Sequence, residues 1–236
     1  LGLAGPDRYG IRAGRRLAMS ATLPRVPAPR VYGPPACKGD EAPLELVAEH
    51  GSAEACFREV PGQFAGRDVY DGALARVVLT EPLVEHTVLE IGALMGQSSC
   101  FMAHRLRRLR RAHASLSVRF SVIDIWEPPA AYGWLGTLGF TREWDALRSR
   151  TAGHPMRSIR HVWEHYTCAS AAASAIDAHI HGSSTDSRIA ARFADGSVSF
   201  LYLDTTHALE PTVEELNLWW PKIRRGGWLC GDDYNA

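Results

Sequence analysis

From residue 84 onward, short apolar runs that stop at glycine or aspartate alternate with stretches of helical periodicity. His86 to Ile91 is the first run, and it ends at Gly92. Gln97 to Leu109 follows, with Phe101, Met102, Leu106 and Leu109 inward and arginines outward, the spacing of an amphipathic helix. Phe120 to Ile125 reads as a second strand, Trp163 to Ala175 as a helix, and Ile176 to His181 as a weak strand. Ile189 to Ala194 is a short helix, Val198 to Leu203 a strong strand, Val213 to Ile223 a helix, and Trp228 to Cys230 a strand. This alternation predicts an α/β fold with a doubly wound, mainly parallel sheet. In such a sheet the ligand crevice lies outside the carboxyl ends of the strands.

The rest of the chain breaks that rhythm. Residues 1–36 carry Arg8, Arg12, Arg15, Arg16, Arg25 and Arg30 against the single acid Asp7, with six prolines. Such a segment builds no core of its own, and it reads either as a disordered leader or as an organelle transit peptide. The chain begins at Leu1, and Met19 is a candidate start. Residues 37–83 form a helical extension, with helices expected over 41–59 and Ala73–Leu79. The Rossmann-like domain spans 84–236. Within it, residues 127–160 interleave Pro128, Pro129, Gly133, Gly136 and Gly139 with Tyr132, Trp134, Leu135, Phe140 and Trp144. That pattern fits a lid-like insertion walling a pocket, or a surface excursion with its own apolar cluster.

Composition narrows the class. Of 236 residues, 26 are basic and 26 acidic, for a formal net charge of +0, which disfavours a nucleic-acid binder. No apolar run approaches the ~20 residues of a membrane-spanning helix. Cys37, Cys56, Cys100, Cys168 and Cys230 are odd in number and scattered. Their spacing argues against a disulfide framework or zinc ribbon and fits a reducing, cytoplasmic setting.

Three constellations carry chemistry. The first is Glu90-Ile91-Gly92-Ala93-Leu94-Met95-Gly96-Gln97-Ser98, a glycine turn between strand and helix. Its glycines let the backbone approach a ligand and aim helix N-terminal amides at it. The spacing is neither the dinucleotide fingerprint nor a phosphate-binding loop, and such a turn can be merely structural. The second is Asp124, placed at a strand end to accept ribose hydroxyls or to cap the next turn. The third pairs Asp204 with Asp232 and Asp233, at the ends of neighbouring strands. Three converging carboxylates suit a hard cation such as magnesium; the competing reading is helix caps and turn acids.

With these residues in view, the chain resembles the class I S-adenosylmethionine-dependent methyltransferases. It looks closest to the magnesium-dependent branch that O-methylates small molecules. The matching motifs are Glu90-x-Gly92-x-x-x-Gly96-x-Ser98, Asp124-x-Trp126-Glu127, Asp204 to His207, Trp219-Trp220-Pro221, Gly226-Gly227 and Gly231-Asp232-Asp233-Tyr234. The resemblance covers residues 80–236. It implies that Glu90, Gly92, Gly96 and Ser98 line the amino-acid end of the cofactor, that Asp124 binds its ribose, and that Ser183 approaches the adenine. Asp204, Asp232 and Asp233 would be metal ligands, and His207 with Asp204 the catalytic pair. The acceptor would be a small molecule, with no nucleic-acid or membrane partner, and a homo-oligomer stays open.

Two departures from the family pattern stand out. Asp204-Thr205-Thr206-His207 lacks a second acid found in many relatives, so His207 is either the base or a loop-orienting residue. The final helix and β-hairpin of the family sheet are not expected before Ala236. The alternatives are a cofactor-binding or degenerate module without turnover, and an NAD-dependent oxidoreductase, which the glycine spacing disfavours.

Overall fold

Val198–Leu203 buries all six of its residues, a pattern that requires cover on both faces of the sheet. The computed structural model describes residues 28–37, 56, 58, 60–62, 67–152, 158–205 and 208–231. In chain order the elements are β1 (Arg30–Tyr32), α1 (Arg67–Thr80), β2 (His86–Ile91), α2 (Gln97–Ala112) and β3 (Val118–Asp124). Then come α3 (Trp134–Thr137), α4 (Thr141–Thr151), α5 (Ile159–Ala169), β4 (Ala178–His181) and α6 (Ser187–Ala190). The chain continues through β5 (Val198–Leu203), α7 (Leu209–Trp219) and β6 (Ile223–Gly231). The sheet order is β1-β4-β3-β2-β5-β6, with all neighbours parallel except β1 and β4. Strand order reverses around β2, so the crevice falls where β2 lies between β3 and β5.

The strands divide their side chains between two apolar layers. Val88, Phe120, Phe200 and Tyr202 face the layer that holds Leu74, Phe101, Leu106 and Trp163. Leu89, Ile91, Ile123 and Leu201 face the other, with Ile189 from α6 and Trp219 from α7. Period-2 alternation within each strand produces this division. Each fully buried Leu, Ile or Phe contributes roughly 1.5–3 kcal/mol.

The expected α/β architecture is the one observed, and the element bounds differ in physically sensible ways. The helix expected at Trp163–Ala175 starts at Ile159, behind Ser158, whose side chain and His161 form a capping box, and ends at Ala169. The last strand is nine residues long rather than three, because pairing with β5 holds its glycines and arginines in register. Of the segment 127–160, the described part up to residue 152 forms a 3-10 turn at Pro129–Tyr132 followed by α3 and α4.

Two expectations are corrected. Residues 1–36 are not wholly without packed structure, because β1 pairs with β4 along Arg30↔His181, Val31↔Ile180 and Tyr32↔His179. The Tyr32 ring stacks on His179 at 4.9 Å, and Arg160 lies over Tyr32 at 4.3 Å. The partner edge lies about 150 residues away, so no local periodicity announces this strand. The scattered cysteines also include a pair: Cys37 and Cys168 form a disulfide across 131 positions. It ties the segment after β1 to the last turn of α5, and a bond of this kind persists in oxidising rather than reducing surroundings. Most of the helix expected at 41–59 lies outside the described residues. No helix among the described residues is long and apolar enough to cross a membrane.

Candidate cofactor-binding site

The site is built on the turn that leaves β2. Gly92 donates its N–H to Ile123 O at 2.9 Å and has φ +90°. A Cβ there would stand 1.7 Å from the carbonyl oxygen of Asp204, so only glycine fits. Gly96 caps α2 with φ +99°, and a Cβ there would meet the Trp163 ring at 2.8 Å. Between the glycines, Leu94 is left-handed at φ +47°, an unusual conformation for a branched side chain.

Asp124, at the end of β3, holds this turn from the neighbouring strand. Its Oδ2 accepts the N–H groups of Ala93 at 2.6 Å and Leu94 at 3.0 Å. Its Oδ1 accepts the N–H of Trp126 at 2.6 Å. Trp126 is itself left-handed, with φ +37°, and is buried. One carboxylate therefore fastens two strained non-glycine residues on two loops. Burial pushes the Asp124 pKa up, and the three backbone N–H groups oppose that shift.

Glu90 lies behind the turn and is fully buried. It bonds to the hydroxyls of Ser98 and Ser99, and Ser99 receives the Trp163 indole N–H at 3.0 Å. Burial pushes the Glu90 pKa up to about 8, against the two serine hydrogen bonds and assisted by the nearby Asp204 and Asp124 charges. The group is therefore protonated near neutral pH, which suits a buried acid without a cation beside it.

In front of the turn is a cavity of about 710 Å³, within the range of small-molecule sites. Gly92, Ala93, Leu94 and Ser98 form its floor. Ile125 and Glu127 line the β3 side, and Gly182, Ser183 and Ser184 the β4 side. Asp204, Thr205 and Glu215 line the β5 side, while Tyr132, Trp134, Leu138 and Phe140 make an apolar wall. Glu215 of α7 is buried and accepts from Thr205 Oγ1 at 2.6 and 2.8 Å and from the Ser184 hydroxyl. Trp219 Nε1 donates to Ser184 O at 2.8 Å. The loops after β4 and β5 are thus fastened together from α7.

The structure brings Gly92, Ser98, Asp124, Ser183 and Asp204 to one cavity. Glu90 and Gly96 shape the turn from behind it. Asp204 receives the Tyr202 hydroxyl at 3.1 Å. His207, Asp232 and Asp233 lie outside the described residues. Among the described residues, no group of three His, Cys, Asp or Glu side chains could hold a metal ion. Of the residues expected to wall a pocket, Tyr132, Trp134 and Phe140 line this one, whereas Glu127, Thr205 and Glu215 were not legible as site residues in the sequence. Glu127 follows Asp124 in the chain, but nothing local shows that it lines the cavity. Glu215 reaches the site only because α7 packs behind β5, and helical periodicity does not reveal that.

The arrangement suits an adenosine-bearing ligand with a charged amino-acid tail. The N–H groups at the start of α2 favour a carboxylate, and Ile125 and Ser183 line the same cavity. The sequence agrees with the geometry: the sequence model of a methyltransferase domain family matches residues 89–234. The chain belongs to the class I S-adenosylmethionine-dependent methyltransferases. Among solved structures, it is similar to the apo structure of CalS11, described as a TDP-rhamnose 3'-O-methyltransferase in calicheamicin biosynthesis. Identity is 18%, covering 71% of this chain and 62% of that one, with a TM-score of 0.40. A second CalS11 structure, described as a calicheamicin methyltransferase, is 16% identical over 85% of each chain, with a TM-score of 0.42. No curated protein matches the chain.

Proposed function

We propose that this protein transfers the methyl group of S-adenosylmethionine to a hydroxyl on a small molecule, with magnesium assistance. The observation that carries the reading is the single cavity that joins the glycine turn, the β4 loop, Asp204 and the wall of Tyr132, Trp134, Leu138 and Phe140. One end of it suits the cofactor. The rest of its lining combines apolar side chains with the Asp204 carboxylate, which fits a small acceptor better than a polymer.

Here the chain's own residues do four things. Gly92 makes room for the methionine end, and the N–H groups at the start of α2 meet its carboxylate. Ser183 and Ile125 flank the adenosine. The aromatic wall excludes water from the acceptor and orients it for in-line attack, and positioning of that kind supplies much of a methyl transfer's rate. Asp204 stands where the acceptor hydroxyl would approach. With Asp232 and Asp233 it would hold magnesium, and His207 would remove the hydroxyl proton. Magnesium held there would lower the pKa of the acceptor hydroxyl.

The test is methyl transfer from labelled S-adenosylmethionine to a panel of catechols, phenols and nucleotide sugars, with and without a chelator. Transfer to a hydroxyl that the chelator abolishes and added magnesium restores supports the full reading. Transfer unaffected by chelation removes the metal and keeps the methyltransferase. Binding of the cofactor without transfer to any acceptor favours the non-catalytic module.

A further inference from the structure

Strand β1 holds itself to the sheet weakly. It has three residues, of which Arg30 and Val31 are exposed, so it buries little apolar surface of its own. Segments of that kind open at low cost. What keeps it in place is the register with β4, the Tyr32–His179 stack at 4.9 Å and the Cys37–Cys168 bridge. Cys37 lies at the surface, whereas Cys168 is buried in the last turn of α5. A dissolved thiol therefore approaches the bridge from the Cys37 side.

His179 couples this strand to the cofactor site. From β1 and the residue after it come the stacked Tyr32 ring and the carbonyl of Gly33, which accepts the His179 Nδ1–H at 2.9 Å. The same buried imidazole meets Trp126 at 5.9 Å and Trp163 at 5.1 Å, centroid to centroid. Both tryptophans hold the glycine turn. Trp126 donates its N–H to Asp124, whose other oxygen fixes Ala93 and Leu94. Trp163 packs against Gly96 and donates to Ser99, which bonds to Glu90. There is also a shared wall. Pro29 and Arg30 line a cavity of about 970 Å³ that has Ile125, Gly182 and Ser183 in common with the cofactor cavity. Departure of β1 would leave the His179 donor without its acceptor and take the backing from both tryptophans.

We propose that the Cys37–Cys168 pair sets the affinity of the cofactor site through thiol–disulfide exchange. This rests on the methyltransferase reading and adds a regulation to it. With the bridge closed, β1 stays on β4 and His179 backs the two tryptophans. With the bridge open, β1 leaves the sheet edge in a fraction of the molecules. Those molecules bind cofactor weakly, so the apparent affinity falls in proportion to the fraction that keeps β1 docked. The reductant is a dithiol. Its thiolate attacks the sulfur of Cys37 and expels Cys168 as a thiolate, which takes up a proton. The second thiol of the reagent then displaces Cys37, which is protonated in turn, and closes the reagent's own disulfide. Two electrons and two protons pass to the protein. By linkage, bound cofactor makes the bridge harder to open by the same factor that closing the bridge tightens cofactor binding.

The test is calorimetric binding of S-adenosylhomocysteine to the full chain with the bridge closed, to the same chain reduced with dithiothreitol, and to C37S with C168S. A thermal melt checks that each is folded. The closed form should bind about five- to a hundredfold more tightly than either open form. In the reciprocal measurement, the ratio of reduced to oxidised dithiothreitol that opens half the bridges should rise by the same factor under saturating S-adenosylhomocysteine. The Y32A protein keeps the bridge but loses the stack, and it should bind more weakly than the wild type with its bridge closed. It carries the test where the open forms do not fold. Equal affinity of folded open and closed forms overturns the proposal. So does a half-reduction ratio that the ligand leaves unchanged, and so does wild-type affinity in Y32A. If the folded, closed form binds no S-adenosylhomocysteine, the methyltransferase reading falls and the proposal with it, an outcome distinct from equal affinities.

Discussion

Asp124 Oδ2 accepts the backbone N–H of Leu94 at 3.0 Å, across thirty positions of sequence and from one strand end to the next. The bond joins the end of β3 to the turn after β2, the two loops that bracket the point where strand order reverses. The floor of the cavity is therefore fixed before any ligand arrives, a form of preorganisation that lowers the cost of binding.

The same turn makes a sharp prediction about glycine. Gly92→Ala would drive its Cβ into the Asp204 carbonyl, and the φ of +90° is unfavourable as well. Gly139 also has a left-handed φ, of +85°, but open space around it. Gly139→Ala should cost about 1–2 kcal/mol. Gly92→Ala should cost clearly more, about 3 kcal/mol or above, and abolish S-adenosylhomocysteine binding. Denaturant melts of the two variants compare the costs directly.

Glu90 makes stability depend on pH. Its folded pKa of about 8 lies above the ordinary 4.5, so the folded state holds the proton more tightly than the unfolded chain. This contribution is fully present below pH 4.5 and is lost as pH rises through 8. The slope for one such group is at most about 1.4 kcal/mol per pH unit. Asp124, also raised, acts in the same direction, whereas the buried His86 and His104, both lowered by burial, oppose it in acid. Glu90→Gln retains a donor and an acceptor for Ser98 and Ser99 without the titration. Melting temperatures from pH 5 to 8 should fall less steeply in Glu90→Gln than in the wild type.

The Cys37–Cys168 bridge restrains the unfolded chain over 131 positions. Its reduction, or Cys37→Ser with Cys168→Ser, should lower stability by about 2–4 kcal/mol. The loss should fall first on β1, which the bridge and the Tyr32–His179 stack hold against β4. Hydrogen exchange at Arg30–Tyr32 before and after reduction checks this.

Glu215 fastens Ser184 to Thr205. Glu215→Ala should leave those hydroxyls without their shared acceptor, at a cost of about 1–3 kcal/mol. S-adenosylhomocysteine binding should weaken as the β4 and β5 loops part. Calorimetry beside a thermal melt separates the two effects.

The elements legible in the sequence were those whose pattern is local. His86–Ile91 and Val198–Leu203 read correctly to the residue, because both are short, largely apolar runs that stop at a glycine or an aspartate. Gly92 and Asp124 stood out because strand ends concentrate chemistry. What could not be read depends on distant partners. β1 exists because β4 offers an open edge, Cys37 has meaning only beside Cys168, and the Asp124 carboxylate points at amides thirty positions away. The left-handed Trp126 that Asp124 fastens was equally hidden, since no residue-type preference announces one.

The most direct test of the account is a calorimetric titration of S-adenosylhomocysteine into the wild-type chain, beside Gly92→Ala. The account predicts one site per chain on the wild type, with the heat of binding absent from the variant. A cooperatively folded wild type that shows no binding up to millimolar ligand would contradict it.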